Sequence, residues 1–267
     1  MPTLVILAAG FGRRFGGDKQ LAPVGPEGQP LLWYALHDAA LAGFTEAVLV
    51  IRDGLEAPLR SQLGQAPLPI QFALQETRTP TPWGTGHALL AAAPLVTDPF
   101  MVINADDFYG RESYRVIAEF LSRPPAWQIP EFALAAFPLG ATLSRHGPVN
   151  RAVCQVDGDG YLRGLEEHPG LVRESLTLPL DTPVSMNCWG FTPALFPLLQ
   201  ARFDEVRGAD YKEEFMLPTE VGVLVRQGKA RVRVLAAPGP WYGLTHPGDH
   251  EPLAAHISRL SGMGEDD

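Results

Sequence analysis

The sequence predicts an α/β protein of three layers, in which a parallel sheet is covered by helices on both faces. Three observations lead to this fold class. Short, continuous apolar runs recur along the chain and are typical of strands buried on both faces. A polar turn follows each run, and helix-like stretches alternate with the runs up to residue 121.

The elements follow from these patterns in chain order. The strands predicted in the first half cover residues 3–7, 47–51, 70–74 and 100–103, and the helices cover 31–42, 86–93 and 113–121. The second half is less regular, with strands predicted at 132–137, 152–156, 184–191 and 231–235 and helices at 193–203, 217–226 and 250–260. The segments predicted to be mobile or lid-like are 75–82 and 166–183.

The 267 residues and the hydrophobic content of 46% allow one large domain or two small ones. Our assignment is a single domain over 1–262, made of two halves at 1–125 and 126–262, with a tail at 263–267.

The charge distribution narrows the class of ligand. A net charge of −9 is the wrong sign for a general nucleic-acid binder. Positive charge is concentrated at residues 13–19, a pattern that suits capture of a small anion. We predict no membrane span and no signal peptide. Cys154 and Cys188 lie in apolar stretches and are expected to be reduced thiols in a cytoplasmic protein.

The most informative segment is residues 7–21, LAAGFGRRFGGDKQL, which follow the first predicted strand. Gly10 and Gly12 allow backbone conformations in which N–H groups converge on an oxyanion. Arg13, Arg14 and Lys19 add positive charge beside them. The string matches neither a Walker loop nor the dinucleotide G-x-G-x-x-G pattern, because Phe15 replaces its third glycine. The segment therefore predicts a triphosphate-binding loop of another kind.

Two adjacent acids follow the strand predicted at 100–103. In an open parallel sheet, ligands bind outside the carboxyl ends of the strands, so Asp106 and Asp107 should share a cleft with the first loop. Side chains of adjacent residues point to opposite sides, so only one of the two acids should face that cleft. A carboxylate beside phosphates suits Mg²⁺. The alternative is a solvated loop or an N-cap for the following helix.

Three further strings carry polar groups that could bind a nucleotide or a sugar. Gln75 offers a donor and an acceptor to a pyrimidine edge, Gly84 allows close approach of a flat ring, and Thr85 can cap the next helix. The alternative is an ordinary helix start with Gln75 on the surface. Glu167 and Asn187 could hold sugar hydroxyls, or they reflect the usual polarity of strand ends.

These strings together resemble the sugar-1-phosphate nucleotidyltransferases. Residues 7–12 with Arg14 and Lys19 are similar to that family's LAAGxGxR…K opening, and the short GGDK gap also resembles molybdopterin-nucleotide and cytidylyl transferases. Leu74, Gln75 and 84–88 (GTGHA) resemble the base-reading segment of N-acetylglucosamine-1-phosphate uridylyltransferases. The string VINADDF resembles the strand that ends in the metal-binding aspartate.

The resemblance implies a Rossmann-like, glycosyltransferase-A-like fold with a mostly parallel mixed sheet. It also implies joining of a nucleoside triphosphate, UTP or dTTP, to a sugar-1-phosphate with Mg²⁺ and release of pyrophosphate. A homo-oligomer stays open. The implied residues are Arg14 and Lys19 for catalysis; Ala8, Ala9, Gly10, Gly12, Arg13, Gln75, Gly84 and Thr85 for the nucleotide; Asp106 for the metal; and Gly147, Glu167 and Asn187 for the sugar.

The chain departs from the family at two places. Gly243 stands where the family's W-x-D-x-G-T-P string has a second metal-binding aspartate, so Asp107, Asp249 or another residue replaces it, or metal binding is weaker. His168 and Pro169 replace a Glu-Lys-Pro string, which removes a lysine for the sugar phosphate. Two alternatives therefore stay open: nucleotidyl transfer to a non-sugar phosphate, and a non-catalytic nucleotide-binding regulator.

Overall fold

The computed structural model describes residues 1–10, 22–76, 83–124, 127–208, 213–244 and 247–262. A mixed sheet runs through it. The strands are β1 (Thr3–Leu7), β2 (Glu46–Ile51), β3 (Ile70–Leu74), β4 (Phe100–Asn104), β5 (Asp107–Phe108), β6 (Glu131–Pro138), β7 (Val149–Val156), β8 (Leu162–Leu171), β9 (Pro183–Phe191), β10 (Arg231–Ala236) and β11 (Tyr242–Gly243).

The helices are α1 (Leu31–Leu41), α2 (Glu56–Leu63), α3 (Thr85–Ala92), α4 (Arg111–Leu121), α5 (Leu139–Thr142), α6 (Leu195–Val206), α7 (Leu217–Arg226) and α8 (His250–Gly262). Within the described residues the main sheet has the strand order β10-β6-β9-β4-β1-β2-β3, and β7 and β8 extend from β9. The strands from β4 to β3 are parallel, and β9 runs antiparallel to its neighbours β4, β6 and β7. The predicted three-layer, mostly parallel mixed sheet is confirmed.

The two faces of the sheet bury two separate apolar clusters. Because side chains alternate along a strand, Leu4 and Ile6 of β1 pack under α1, α2 and α4. Val5 and Leu7 pack on the opposite face under α3, α6 and α7. A strand buried on both faces needs an unbroken apolar sequence, which explains the run at residues 3–7.

A third, smaller cluster lies at the carboxyl end of the sheet. β5 and β11 form an antiparallel ribbon in which Gly243 is opposite Asp107 and Tyr242 is opposite Phe108. Phe108 and Leu244 pack against Leu253 and Ile257 of α8. The ribbon therefore fixes α8, a helix near the end of the chain, beside the residues that leave β4.

Most predicted elements occur within a few residues of their expected bounds, but three expectations need correction. Segment 166–183 is not lid-like throughout, since 166–171 belong to β8 and pair with β7. α2 was not predicted, because its two buried residues, Leu59 and Leu63, give a weak apolar pattern. The N-cap of α4 is Gly110, so neither acid of the 106–107 pair caps that helix. Residues 77–82 and the tail 263–267 lie outside the described residues.

In the described ranges, the helices are all too short or too polar to span a bilayer. Cys154 and Cys188 are buried free thiols.

Candidate active site

The predicted phosphate loop begins at the carboxyl end of β1. Ala8 and Ala9 are buried, and the Ala8 N–H donates to the Val50 carbonyl oxygen at 2.7 Å. Gly10 is exposed, and its backbone is outside the left-handed region. An added Cβ there would meet no atom within 4 Å in the described structure, so glycine is not required at this position by its own conformation. Gly12, Arg13, Arg14 and Lys19 lie outside the described residues.

The adjacent acids share this sheet edge with the first loop. β1 pairs in parallel with β4, with Leu7 opposite Asn104. The Ala105 N–H donates to the Leu7 carbonyl oxygen at 3.1 Å. The chain therefore leaves β1 and β4 side by side, and the start of the loop lies next to the segment that carries Asp106 and Asp107.

The two acids have different surroundings. Asp106 is half-buried, whereas Asp107 is buried. Asn104 Nδ2 donates to Asp107 Oδ2 at 2.9 Å, and the Tyr109 hydroxyl lies 3.1 Å from the same oxygen. Burial raises the pKa of Asp107 to about 7, and the charge of Asp106 adds to this rise, while the hydrogen bond from Asn104, the charge of Arg151 and the hydrogen bond from Tyr109 oppose it.

The ribbon explains how the chain accommodates Gly243. A Cβ at this position would come within 2.4 Å of the Trp241 ring and 2.9 Å of Asp107 Oδ1. The space next to Gly243 is thus already filled by an aromatic ring and by a carboxylate oxygen from the opposite strand. A side chain at position 243 requires a shift in one of them.

Asn187 connects β9 to the acids. Its side-chain Nδ2 donates to Asn104 Oδ1 at 3.3 Å, and its Oδ1 accepts from the indole N–H of the fully buried Trp189 at 3.2 Å. It has a φ of 59°, which asparagine tolerates better than most residues. The structure therefore brings Asn187 into a hydrogen-bonded chain that leads through Asn104 to Asp107.

The GTG string packs tightly against the loop that precedes α7. Gly84 has a φ of 92°, and a Cβ there would lie 2.7 Å from the Phe215 carbonyl oxygen. Thr85 is the first residue of α3 rather than its cap, so the capping role considered for it is wrong. Its hydroxyl instead accepts the N–H of Leu217, the first residue of α7, at 3.0 Å.

Gln75 leaves the end of β3 and turns toward the same string. Its Nε2 donates to the Gly84 carbonyl oxygen at 3.2 Å and lies 3.3 Å from His87 Nδ1. Burial lowers the pKa of His87, while the charge of Glu76 opposes this. Gln75 and Gly84, which are nine residues apart, are thus in direct contact.

The residues predicted to bind the sugar lie on separate elements of the fold. Glu167 is exposed on β8, opposite Ala152 of β7, which is in turn opposite Ser185 of β9. Glu167 is therefore two strands from Ser185, about 10 Å at the usual strand spacing. Gly147 lies in the turn before β7, whereas Glu167 lies within β8.

Sequence reasoning missed two contributors to this region, Tyr109 and Arg151. The Tyr109 hydroxyl lies 2.8 Å from the Met186 carbonyl oxygen, and it accepts the Asn104 N–H at 3.1 Å. Burial raises the pKa of Tyr109 far above its ordinary value, so the phenol stays protonated. The only sequence signal was proximity, since Tyr109 follows Asp107 by two positions.

A cleft of about 710 Å³ opens beside the ribbon. α5, the turn before β7, the ribbon strand β11 and α8 supply its walls. Gly243 is one of the lining residues, and the next residue, Leu244, donates its N–H to the Asp106 carbonyl oxygen at 2.9 Å. The cleft therefore begins next to the segment that carries the two acids.

The described parallel sheet, in which the glycine-containing segment after β1 begins beside the acid pair that follows β4, matches the layout that the resemblance to nucleotidyltransferases implies. Residues 4–130 match the model of the MobA-like NTP transferase domain, so this part of the chain is similar to that family. The predicted resemblance to nucleotidyltransferases is thereby confirmed for the half that carries the loop and the acids.

Curated relatives match over a similar region. The "Bifunctional protein GlmU" of Paraburkholderia phytofirmans is 37% identical over 108 residues, which are 39% of this chain and 22% of the relative. The GlmU protein of Anaeromyxobacter dehalogenans is 32% identical over 108 residues, 38% of this chain and 21% of the relative. The chain thus spans about a fifth of the length of these two relatives.

Solved structures match nearly the whole chain. The inositol-1-phosphate CTP transferase of T. maritima superposes with a TM-score of 0.71 at 15% identity and covers 96% of both chains. A UDP-glucose pyrophosphorylase complexed with UDP-glucose gives a TM-score of 0.65 at 17% identity, covering 96% of this chain and 98% of its own. At such identities the likeness establishes the fold, which extends through the second half of the chain.

Proposed function

We propose that this chain joins a nucleoside triphosphate, with UTP or dTTP favoured, to a sugar-1-phosphate and releases pyrophosphate. The observation that supports this most is the shared sheet edge at which the loop of the first strand and the segment with Asp106 and Asp107 leave β1 and β4. A triphosphate held by that loop would have its phosphates beside the carboxylates.

The reaction requires the protein mainly to position the two substrates and to supply positive charge. The acceptor phosphate is already an anion, and one of its oxygens attacks the α-phosphorus while the bond to the β-phosphate oxygen breaks. The barrier lies in bringing anions together and in stabilising charge on the phosphorus oxygens. We assign that work to Arg14 and Lys19 and to the backbone N–H groups of Gly10 and Gly12.

The donor set at the strand end fits Mg²⁺, which prefers one or two carboxylates together with phosphate oxygens and water. We propose Asp106 as the first ligand. Asp107 is our choice for the role of the missing aspartate, because its Oδ1 is the carboxylate oxygen next to the position where a side chain on residue 243 would begin. The chemistry that a bound Mg²⁺ supplies is neutralisation of phosphate charge.

The preference for uracil or thymine rests on Gln75. Its Nε2 is engaged by the Gly84 carbonyl oxygen, which leaves Oε1 as the atom that can meet a base. An acceptor there matches the N3–H of uracil or thymine, whereas N3 of cytosine is itself an acceptor. Glu167 and Asn187 are our proposals for the sugar hydroxyls, with Gly147 in the turn beside the sugar.

A second candidate is nucleotidyl transfer to a phosphate acceptor that is not a sugar. The specific observation behind it is the fold match to an inositol-1-phosphate CTP transferase, which acts on a cyclitol phosphate. The two candidates share the reaction and differ only in the acceptor.

The test is release of pyrophosphate with Mg²⁺ across four nucleoside triphosphates, each paired with a panel of sugar-1-phosphates and with inositol-1-phosphate. We expect release with UTP or dTTP and at least one sugar-1-phosphate. Release with inositol-1-phosphate alone would favour the second candidate. Nucleotide binding without release for any pair would contradict both and favour a binding protein.

A further inference from the structure

The cleft beside the ribbon has an unusual concentration of positive charge. Its lining residues include Arg145, Arg151, Arg173 and Arg259. Asp249 is the one carboxylate that lines it in the described structure, and this group accepts a hydrogen bond from Ser144 Oγ at 3.1 Å. Four cations therefore face one anion inside a chain whose net charge is −9.

These four arginines differ from seven others of the described structure. Those seven pair with a carboxylate within 4.0 Å, namely Arg60, Arg111, Arg115, Arg123, Arg163, Arg202 and Arg207. Within the described ranges, no arginine of the cleft has such a partner. Arg173 donates instead to the Gly140 carbonyl oxygen at 2.7 Å. Among the described residues, the guanidinium charge of the cleft is therefore not paired with a carboxylate.

Arg151 gives the strongest argument for an anion site in the cleft, because its charge is buried. Its Nε donates to Thr142 Oγ1 at 3.0 Å, its Nη1 to the Asn150 carbonyl oxygen at 2.7 Å, and its Nη2 to the Thr142 carbonyl oxygen. All three acceptors are neutral. Burial lowers the pKa of Arg151 to about 10, while the charges of Asp107 and Asp249 oppose this fall, and Arg151 stays charged at neutral pH. A buried charge of this kind favours an anionic ligand in the adjoining space.

The location of the cleft connects this charge to the proposed reaction. The cleft begins at Gly243, the residue opposite Asp107, so it adjoins the segment that carries the two acids, although neither acid is among its lining residues. Its other walls are Arg145 in the turn before β7, Arg173 after β8 and Arg259 on α8. An acceptor that spans this distance would present its reacting phosphate to the acids and a second group to the arginines.

We propose, on the basis of the proposed nucleotidyl transfer, that the acceptor carries a second anionic group, a carboxylate or a phosphate, which the arginine-lined cleft binds. Guanidinium groups bind both kinds of anion through charge-assisted, often bidentate hydrogen bonds. The acceptor class is thus a sugar 1-phosphate with a second acidic group, such as a hexuronic acid 1-phosphate or a hexose bisphosphate, rather than a hexose 1-phosphate whose sugar is uncharged.

The test measures binding by calorimetry at fixed ionic strength, without nucleotide, for three probes: glucose 1-phosphate, glucuronic acid 1-phosphate and glucose 1,6-bisphosphate. The variant is Arg145→Gln/Arg259→Gln, in which both substituted side chains are exposed and lack an ion pair in the described structure. The control is Arg115→Gln/Arg226→Gln, which removes the same charge from α4 and α7, away from the cleft.

We expect at least one of the two probes with a second anionic group to bind ~10-fold or more tighter than glucose 1-phosphate. The Arg145→Gln/Arg259→Gln variant should lose this preference, while the control keeps it. The probe that responds identifies the second group as carboxylate or phosphate. Equal affinity for all three probes, or a preference that the variant retains, would overturn the inference.

Pyrophosphate release with the same three acceptors separates this inference from the proposed function. An arginine-dependent binding preference without any release would contradict the proposed transfer and leave the anion cleft standing. Efficient release with glucose 1-phosphate that equals release with the other two acceptors would support the transfer and contradict the acceptor class.

Discussion

Gly243 lies directly opposite Asp107 in the β5–β11 ribbon, and the Asp107 carboxylate oxygen lies 2.9 Å from the point where a Cβ on residue 243 would begin. We propose that this acid on the facing strand takes the place of the aspartate that the resemblance implies at position 243. Because Asp107 and Gly243 are 136 positions apart in the chain, their proximity is not evident from either string alone.

The first prediction concerns this pair. Gly243→Asp should lower both stability and pyrophosphate release, because the new side chain meets the Trp241 ring and a second carboxylate. The double variant Asp107→Gly/Gly243→Asp should recover part of the activity, since it moves the acid to the facing strand. Pyrophosphate release under identical Mg²⁺ is the measurement. A single Gly243→Asp variant that is more active than the parent would contradict the assignment of Asp107.

The second prediction is a pH dependence of stability in metal-free protein. Asp107 has a pKa of about 7 in the fold, against 3.8 ordinarily, so the folded state binds more protons between these values. The free energy of unfolding should therefore fall as the pH rises from about 4 to 7, by up to about 4 kcal/mol from this group. Asp107→Asn should remove that part of the slope in denaturant titrations.

The matched control for Asp107→Asn is Asp53→Asn, which changes an exposed carboxylate in the turn before α2. This control should leave the slope intact. Equal slopes for Asp107→Asn and the parent would show that the buried carboxyl is not the group responsible.

The third prediction concerns the GTG string. Gly84→Ala should destabilise the fold by about 2–5 kcal/mol, because it combines a φ of 92° with a 2.7 Å approach to the Phe215 carbonyl oxygen. Gly43→Ala is the control, since Gly43 has a φ of 90° and open space around it. It should cost only about 1–2 kcal/mol. Equal losses in thermal or denaturant unfolding would mean that the contact with Phe215 contributes nothing.

The fourth prediction concerns the loop after β1. Lys19→Ala should lower turnover by ~10²-fold or more, equivalent to ~3 kcal/mol of lost charge stabilisation in the transition state. Lys229→Ala should leave turnover unchanged, because Lys229 is exposed just before β10, at the amino ends of the parallel strands. Full activity of purified Lys19→Ala would make the assignment wrong.

The sequence predicted the strands with continuous apolar runs well, because burial on both faces leaves a strong local signal at residues 3–7 and 100–103. The strand at 70–74 was predicted to be buried, but it lies at the edge of the sheet and only Ala73 in it is buried. β5 and β11 have only two residues each, so pairing rather than composition defines them. The apolar pattern of β8 is broken by exposed residues at 166 and 167, which explains why its end was predicted to be lid-like.

The residues of the candidate site also differ in how far the sequence alone could predict them. Asp106 and Gln75 lie in short strings in which the residue types alone indicate a binding role. Asn187 was selected for a sugar, whereas its contact with Asn104 depends on the antiparallel placement of β9 next to β4. The arginine-lined cleft is assembled from segments more than 100 residues apart in the chain, such as those of Arg151 and Arg259, and has no sequence signature.

The most direct measurement compares two preparations of UTP or dTTP in the same reaction. One preparation carries ³²P at the α-phosphate and the other carries it at the γ-phosphate. With Mg²⁺ and the preferred acceptor, the account predicts that the α label appears in the nucleotide-sugar and the γ label in pyrophosphate. Appearance of the γ label in the acceptor would mean phosphoryl transfer instead. Bound but unchanged nucleotide across the acceptor panel would contradict the central claim that this fold catalyses nucleotidyl transfer.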